Sequence, residues 1–175
     1  MALFHRRAFH AAMALGCLAP TVAAVPMDEE IKRDYPAPKF KPQLKKPRLN
    51  STLIQDFVLF AHYDLDMVQT LLEKEPALLN TTMDWGGGDW ESALGGAAHM
   101  GRRDIAEFLI GKGARVDLFA ATMLGWLDAV KAMVTAQPSL LQAKGPHGIP
   151  LLAHAKAGKK EAEPVLQYLQ SLKSK

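Results

Sequence analysis

The chain has little with which to build a covalent or thiolate framework: its 175 residues include one cysteine, Cys17. A single thiol excludes an internal disulfide and any paired Cys/His metal motif. There is no apolar run of membrane-spanning length, because the longest candidate, Ala8 to Ala19, is too short to cross a bilayer. H-E-x-x-H, G-x-S-x-G and G-x-x-x-x-G-K-S/T are all missing, so helix-borne zinc, nucleophile-elbow and P-loop chemistry have no local signature. A basic face is missing too, although the isoelectric point is about 9.0. Residues 51–175 hold 12 Lys/Arg against 14 Asp/Glu, and the excess lies in Arg6-Arg7 and in residues 25–50, with 7 basic and 4 acidic residues. A folded nucleic-acid binder carries its cations on the fold, so no nucleic-acid partner is expected.

What is present begins with an address. Residues 1–24 run from His5-Arg6-Arg7 through an apolar stretch to the small-residue site Val22-Ala23-Ala24, the layout of a cleaved secretory signal. Arg6-Arg7-Ala8-Phe9 resembles the twin-arginine export motif, which implies passage in a folded state. A periplasmic or secreted location is therefore expected, with no membrane span. Cys17 follows Ala14-Leu15-Gly16 like a weak lipoprotein box; a lipid anchor there is not favoured, because the apolar stretch before it is short. Residues 25–50 contain Pro26, Pro36, Pro38, Pro42 and Pro47 and read as an extended basic linker, since proline lacks the amide proton and disfavours helix before it. Residues 51–175 form the remaining domain.

Within that domain, apolar residues recur at helical spacing in four places. The clearest is Trp90 to Asp117. Ala93, Leu94, Ala97 and Ala98 share one helical face, while Ile105, Phe108 and Leu109 share another; Gly101 lies between the helices and Gly113 caps the second. Three further copies centre on Phe60-Ala61-His62-Tyr63-Asp64, Ala121-Thr122-Met123-Leu124-Gly125 and Leu151 to Gly158. The turn positions Asp64, Gly101, Gly125 and Gly158 are spaced by 37, 24 and 33 residues. Asp66, Asp104 and Asp128 each stand near the start of a second helix, where the dipole favours an acid. Pro76 and Pro138 each follow the second helix of a copy.

These residues resemble an ankyrin repeat, with Ser92-Ala93-Leu94 for T-P-L, Ala97-Ala98 for the alanine pair, Gly113-Ala114 for G-A and Asp117 for its asparagine. The resemblance implies an all-α ankyrin-repeat solenoid of about four helix-turn-helix repeats with irregular hairpin loops, a rigid binding surface and usually no chemistry. The wide first spacing places a finger at Trp85 to Trp90, and the narrow second one leaves no room for another.

The Asp84-to-Glu91 stretch, with Gly86-Gly87-Gly88 between two tryptophans, is the most unusual in the chain. Its tryptophans either pack on the next repeat or face a partner. His62 and His99 occupy matching positions, with Met123 and Lys156 as their equivalents, and the family places these beside the groove. His147 and His154 lie in the last copy. A metal site needs several convergent ligands, and no motif brings them together, so a groove-lining role is preferred and no metal, cofactor or catalytic residue is assigned. The leading expectation is an exported, monomeric module that docks a partner protein through Trp85, Asp89, Trp90, Glu91, His62, Tyr63, His99, Met100 and Met123. Two alternatives stay open: an accessory or inhibitor subunit of an exported enzyme, and a small metal-dependent hydrolase using Asp89, Glu91, His99 and His147.

Overall fold

The structure is a computed structural model that describes residues 33–40 and 43–173, of which Lys173 by its backbone alone. The signal, Cys17 and most of the linker lie outside the described residues. The chain divides into two compact units, residues 1–41 and 42–175. In the first, residues 33–40 form bends without helix or strand. Among the described residues the second holds eight α-helices: α1 Ser51–Phe60, α2 Leu65–Lys74, α3 Ala93–His99, α4 Arg103–Gly111, α5 Leu118–Leu124, α6 Leu127–Ala136, α7 Leu151–Ala157 and α8 Glu163–Lys173. A hairpin of two short strands, β1 Thr82–Asp84 and β2 Trp90–Ser92, stands between α2 and α3. Among the described residues no helix is long and apolar enough to cross a membrane.

Helix starts follow from side-chain caps. Asn50, Asp64, Ser92 and Asp117 each accept a hydrogen bond from the backbone N–H three residues on, at 3.1, 3.0, 3.1 and 2.7 Å. Each bond satisfies one of the donors a helix leaves unpaired at its first turn. Asp66, Asp104 and Asp128 lie in the first turns of α2, α4 and α6 as the repeated spacing predicts. Pro76 and Pro138 open the same device twice, a five-residue 3-10 turn after α2 and after α6. Pro lacks the N–H that an α-helix interior needs, and a first-turn position tolerates that loss.

The helices pack in two rows. α1, α3, α5 and α7 lie side by side, while α2 contacts α4 and α6 contacts α8. Two apolar clusters result, one centred on α1 to α4 and one on α6 to α8. α5 belongs to both, giving Ala120, Met123 and Leu124 to the first and Leu118 and Ala121 to the second. A helix covered on both sides must be apolar all round, and Leu118-Phe119-Ala120-Ala121-Thr122-Met123-Leu124 is nearly so. Met123 is consequently fully buried and offers no surface to a partner, which corrects its expected place in the groove. Gly125 ends α5 with φ +79°, and a Cβ there would meet the Glu161 carbonyl, so both conformation and contact require glycine.

Leu109 is fully buried in the first cluster. Leu109→Ala is expected to lower unfolding free energy by about 2–5 kcal/mol, through lost burial and the cavity left behind. Chemical denaturation followed by circular dichroism checks this; a near-neutral result would contradict the packing described above.

Candidate metal centre on the hairpin finger

The hairpin sorts its side chains by strand pleat. Successive residues of a strand point to opposite faces, so Glu91 turns inward between Trp90 and Ser92. Glu91 is 1% exposed, whereas Trp90 is 59% exposed. The hairpin tip is tied by Asp84, whose Oδ1 accepts from the backbone N–H groups of Gly86 at 2.8 Å and Gly88 at 3.1 Å. Gly86, Gly87 and Gly88 all have positive φ, which explains the run of three glycines. A Trp85 N–H to Asp89 C=O bond of 2.9 Å closes the turn. The finger thereby fixes Trp85, Asp89 and Glu91 as a set.

Three imidazoles meet the buried carboxylate. His62 follows α1, His99 ends α3, and His147 sits in the loop before α7. His62 Nε2 lies 3.3 Å from Glu91 Oε2, His99 Nε2 lies 3.0 Å from Oε1, and His147 Nε2 lies 3.4 Å from Oε2. The His62 and His99 Nε2 atoms are 3.1 Å apart. One donor atom from each of the four residues falls within 4.8 Å of the others. Two donors bound to one ion at about 2.1 Å stand roughly 3.0 Å apart in an octahedron and roughly 3.4 Å in a tetrahedron. The four separations just given fall in that interval, and the remaining donor pairs lie within 4.8 Å.

The outer bonds decide which ring nitrogens face inward. His62 Nδ1 lies 2.9 Å from the Val58 carbonyl, which can only accept, so Nδ1 carries a proton and Nε2 is the nitrogen that faces the centre and becomes bare when the ring is neutral. His147 Nδ1 lies 2.9 Å from Asp89 Oδ2, while the His147 backbone N–H donates to Asp89 Oδ1 at 2.9 Å. His147 needs that clamp, because it is a non-glycine residue at φ +57°. Carbonyl and carboxylate partners on the outer nitrogens are the usual support of metal-bound histidine. Trp85 completes the wall. Its Nε1–H donates to Glu91 Oε2 at 2.8 Å, and its ring meets those of His62 and His147 edge-on.

Glycine makes the space. α3 begins Ala93-Leu94-Gly95-Gly96, and each interior glycine costs a helix about 1 kcal/mol relative to alanine. A Cβ on Gly96 would come within 2.7 Å of the His62 ring, whereas one on Gly95 would stand in ordinary contact with Glu91 and Pro146.

Electrostatically, burial opposes ionisation of Glu91, yet the adjacent His62 and His99 imidazoles outweigh it and lower its pKa to about 2. The Glu91 bond correspondingly raises His62 above its ordinary value, against the opposing effect of burial. Although His99 Nε2 is near, Glu91 Oε1 lacks an aligned hydrogen-bond donor and is a buried, unpartnered acceptor.

Of the nine residues expected to meet a partner, the structure brings His62, Trp85, Asp89, Glu91 and His99 together. Trp90, Tyr63 and Met100 are exposed beside them at 59%, 61% and 54%, while Glu91 and Met123 are buried. His147 is missing from that set and is grouped with Asp89, Glu91 and His99 in the hydrolase alternative. No protein-family model, no curated protein and no solved structure matches this chain.

The metal-free domain should be most stable between roughly pH 4.5 and 6.5. His62 has a raised folded pKa, so its contribution is complete below the unfolded value of 6.5 and is lost as pH rises through the folded value. Glu91 has a lowered pKa, so its contribution is present above 4.5 and is lost as pH falls toward about 2. Thermal melts in chelator should show the alkaline decline, and His62→Asn should remove it. An unchanged alkaline limb in that variant would assign the decline to other groups.

Proposed function

We propose that this domain is a metal-dependent protein of hydrolase type, built around one divalent first-row transition ion. The ion is held by Nε2 of His62, His99 and His147 and by the carboxylate of Glu91. The observation that carries the reading is the convergence of three imidazoles on a buried carboxylate, with the outer nitrogens of His62 and His147 already bonded to acceptors. Three nitrogens and one oxygen suit zinc, iron(II), cobalt or nickel. Calcium and magnesium prefer all-oxygen shells, and copper(I) prefers sulfur. An ion of this class lowers the pKa of bound water toward neutrality and polarises carbonyl or phosphoryl oxygen, which is the basis of hydrolysis.

Two further proposals give the centre its setting. The four helix pairs are read as divergent ankyrin-like repeats, a reading supported by the matched turns and by the side-by-side packing of α1, α3, α5 and α7. Stacked repeats place equivalent positions of neighbouring copies next to each other, which is how His62 and His99 come to touch. The signal read in residues 1–24 assigns the protein to the periplasm or the exterior.

Metal analysis of the purified chain tests the reading: about one ion per chain is expected, falling to trace in His99→Ala and Glu91→Gln. Asp89→Ala should weaken metal affinity by about 10–100-fold through the loss of its hold on His147. Gly96→Ala should weaken metal binding by displacing the His62 ring, which a Cβ there would meet at 2.7 Å. A chain that holds no ion, and whose melting temperature is indifferent to added zinc, cobalt, iron(II) and nickel, would sink the proposal.

A second reading concerns the outer face of the finger. Trp90 lines a cleft of about 370 Å³ with Phe119, Lys144 and Pro146, on the side of the hairpin away from Glu91. Exposed tryptophan over a concave surface favours a docking role alongside the metal centre. Trp90→Ala should then reduce capture of a partner from envelope extract without loss of helicity or of bound metal. Equal capture by both proteins would remove Trp90 from any interface.

A further inference from the structure

We propose that Trp85 reserves a coordination position on the ion for a ligand from solution, by holding one oxygen of Glu91 out of the coordination shell. The proposal rests on the metal-centre reading above and deepens it. A carboxylate can close on an ion through both oxygens or through one. In Glu91 the two oxygens differ. Oε2 is taken by the Trp85 indole N–H at 2.8 Å, whereas Oε1 is buried and receives no hydrogen bond. The Oε2 lone pair that accepts from the indole N–H is not at the same time available to an ion. Glu91 then coordinates through Oε1 alone, and the protein supplies three nitrogens and one oxygen.

Trp85 is held firmly enough for this. Its backbone N–H is bonded to Asp89 C=O, and Asp84 ties the hairpin tip beside it. The same finger carries Glu91 and, through Asp89, orients His147, so carboxylate, indole and one imidazole move together or not at all. Ions of this class expand from four to five ligands readily, so four protein donors leave room for a solvent-borne ligand. The approach is from the rim. The His62 and His99 side chains are 15% and 9% exposed, while that of His147 is 30% exposed and Trp85 is 38% exposed beside it. The Trp85 and His147 rings pack edge-on with centroids 4.9 Å apart, and they are the more exposed side of the cluster. Trp85 is in this sense a positioning residue, acting through Glu91 rather than on the substrate.

The experiment uses the full chain, stripped of metal and loaded with cobalt(II), whose visible bands weaken as coordination number rises and shift when a ligand is added. Wild-type protein is expected to show these bands and to respond to azide. In Trp85→Phe, which keeps an aromatic ring and loses the N–H, Oε2 joins the ion. The bands should then weaken several-fold and the azide response should disappear. A Trp85→Phe spectrum and azide titration equal to wild type would overturn the proposal, since packing alone then accounts for Trp85. Cobalt bands in the wild type with no azide response would overturn it as well. Absence of any cobalt bands in the wild type would instead overturn the metal centre itself. Should Trp85→Phe not hold cobalt, Trp85→Gln decides the matter through its retained N–H: azide response kept supports the role, and azide response lost refutes it.

Discussion

The arrangement depends on keeping one carboxylate charged where water cannot reach it. Removing an ion such as Glu91 from water costs several kcal/mol unless charge and hydrogen bonds offset the loss. Glu91 is 1% exposed and still ionises far below the ordinary range, so its surroundings more than compensate. The compensating groups come from four separate parts of the chain: His62 after α1, Trp85 on the finger, His99 at the end of α3 and His147 before α7. Packing of α1, α3 and α7 brings these segments near one another, and the carboxylate fixes how their side chains meet. Satisfying the Glu91 charge therefore ties the first helix pair, the hairpin and the last loop to one point.

Much of the fold was legible because its signals are local. Apolar residues at helical spacing, a capping Asn, Asp or Ser, and a proline after the second helix depend only on near neighbours. The helical spacing, the acids of the first turns and the two prolines appear where the chain placed them. The centre was legible only in pieces. Equivalence of His62 and His99 was visible from the turn spacing, but the inward turn of Glu91 required a two-residue strand alternation inside what read as a glycine-rich loop. His147 lies 56 residues beyond Glu91 in sequence, and spacing rules for metal ligands operate within a helix or a knuckle, not across helix pairs.

Met123 shows the opposite failure. It matches His62 and His99 by register, so extending their environment to it was natural. α5, however, lies between two apolar clusters and has no free side. Register along a row of helices fixes which way a residue points; whether it is covered depends on the next helix, here α7 with its connection to α8.

The departures from local rules gather at one place. Two glycines sit inside α3, His147 adopts φ +57°, and Glu91 Oε1 is buried without a donor. Departures with no local benefit collect at functional sites, because stability elsewhere has to support them. His154 provides the internal contrast. Like His62, it directs Nδ1 at the carbonyl four residues earlier, at 3.2 Å, and it is fully buried. No carboxylate faces its other nitrogen, and burial lowers its pKa instead of raising it. The two histidines share local geometry and differ in what the free nitrogen meets: an apolar interior with Phe119 in one case, an ionised glutamate and two more imidazoles in the other. It is that second environment, not the presence of histidine, that gives the finger its chemistry.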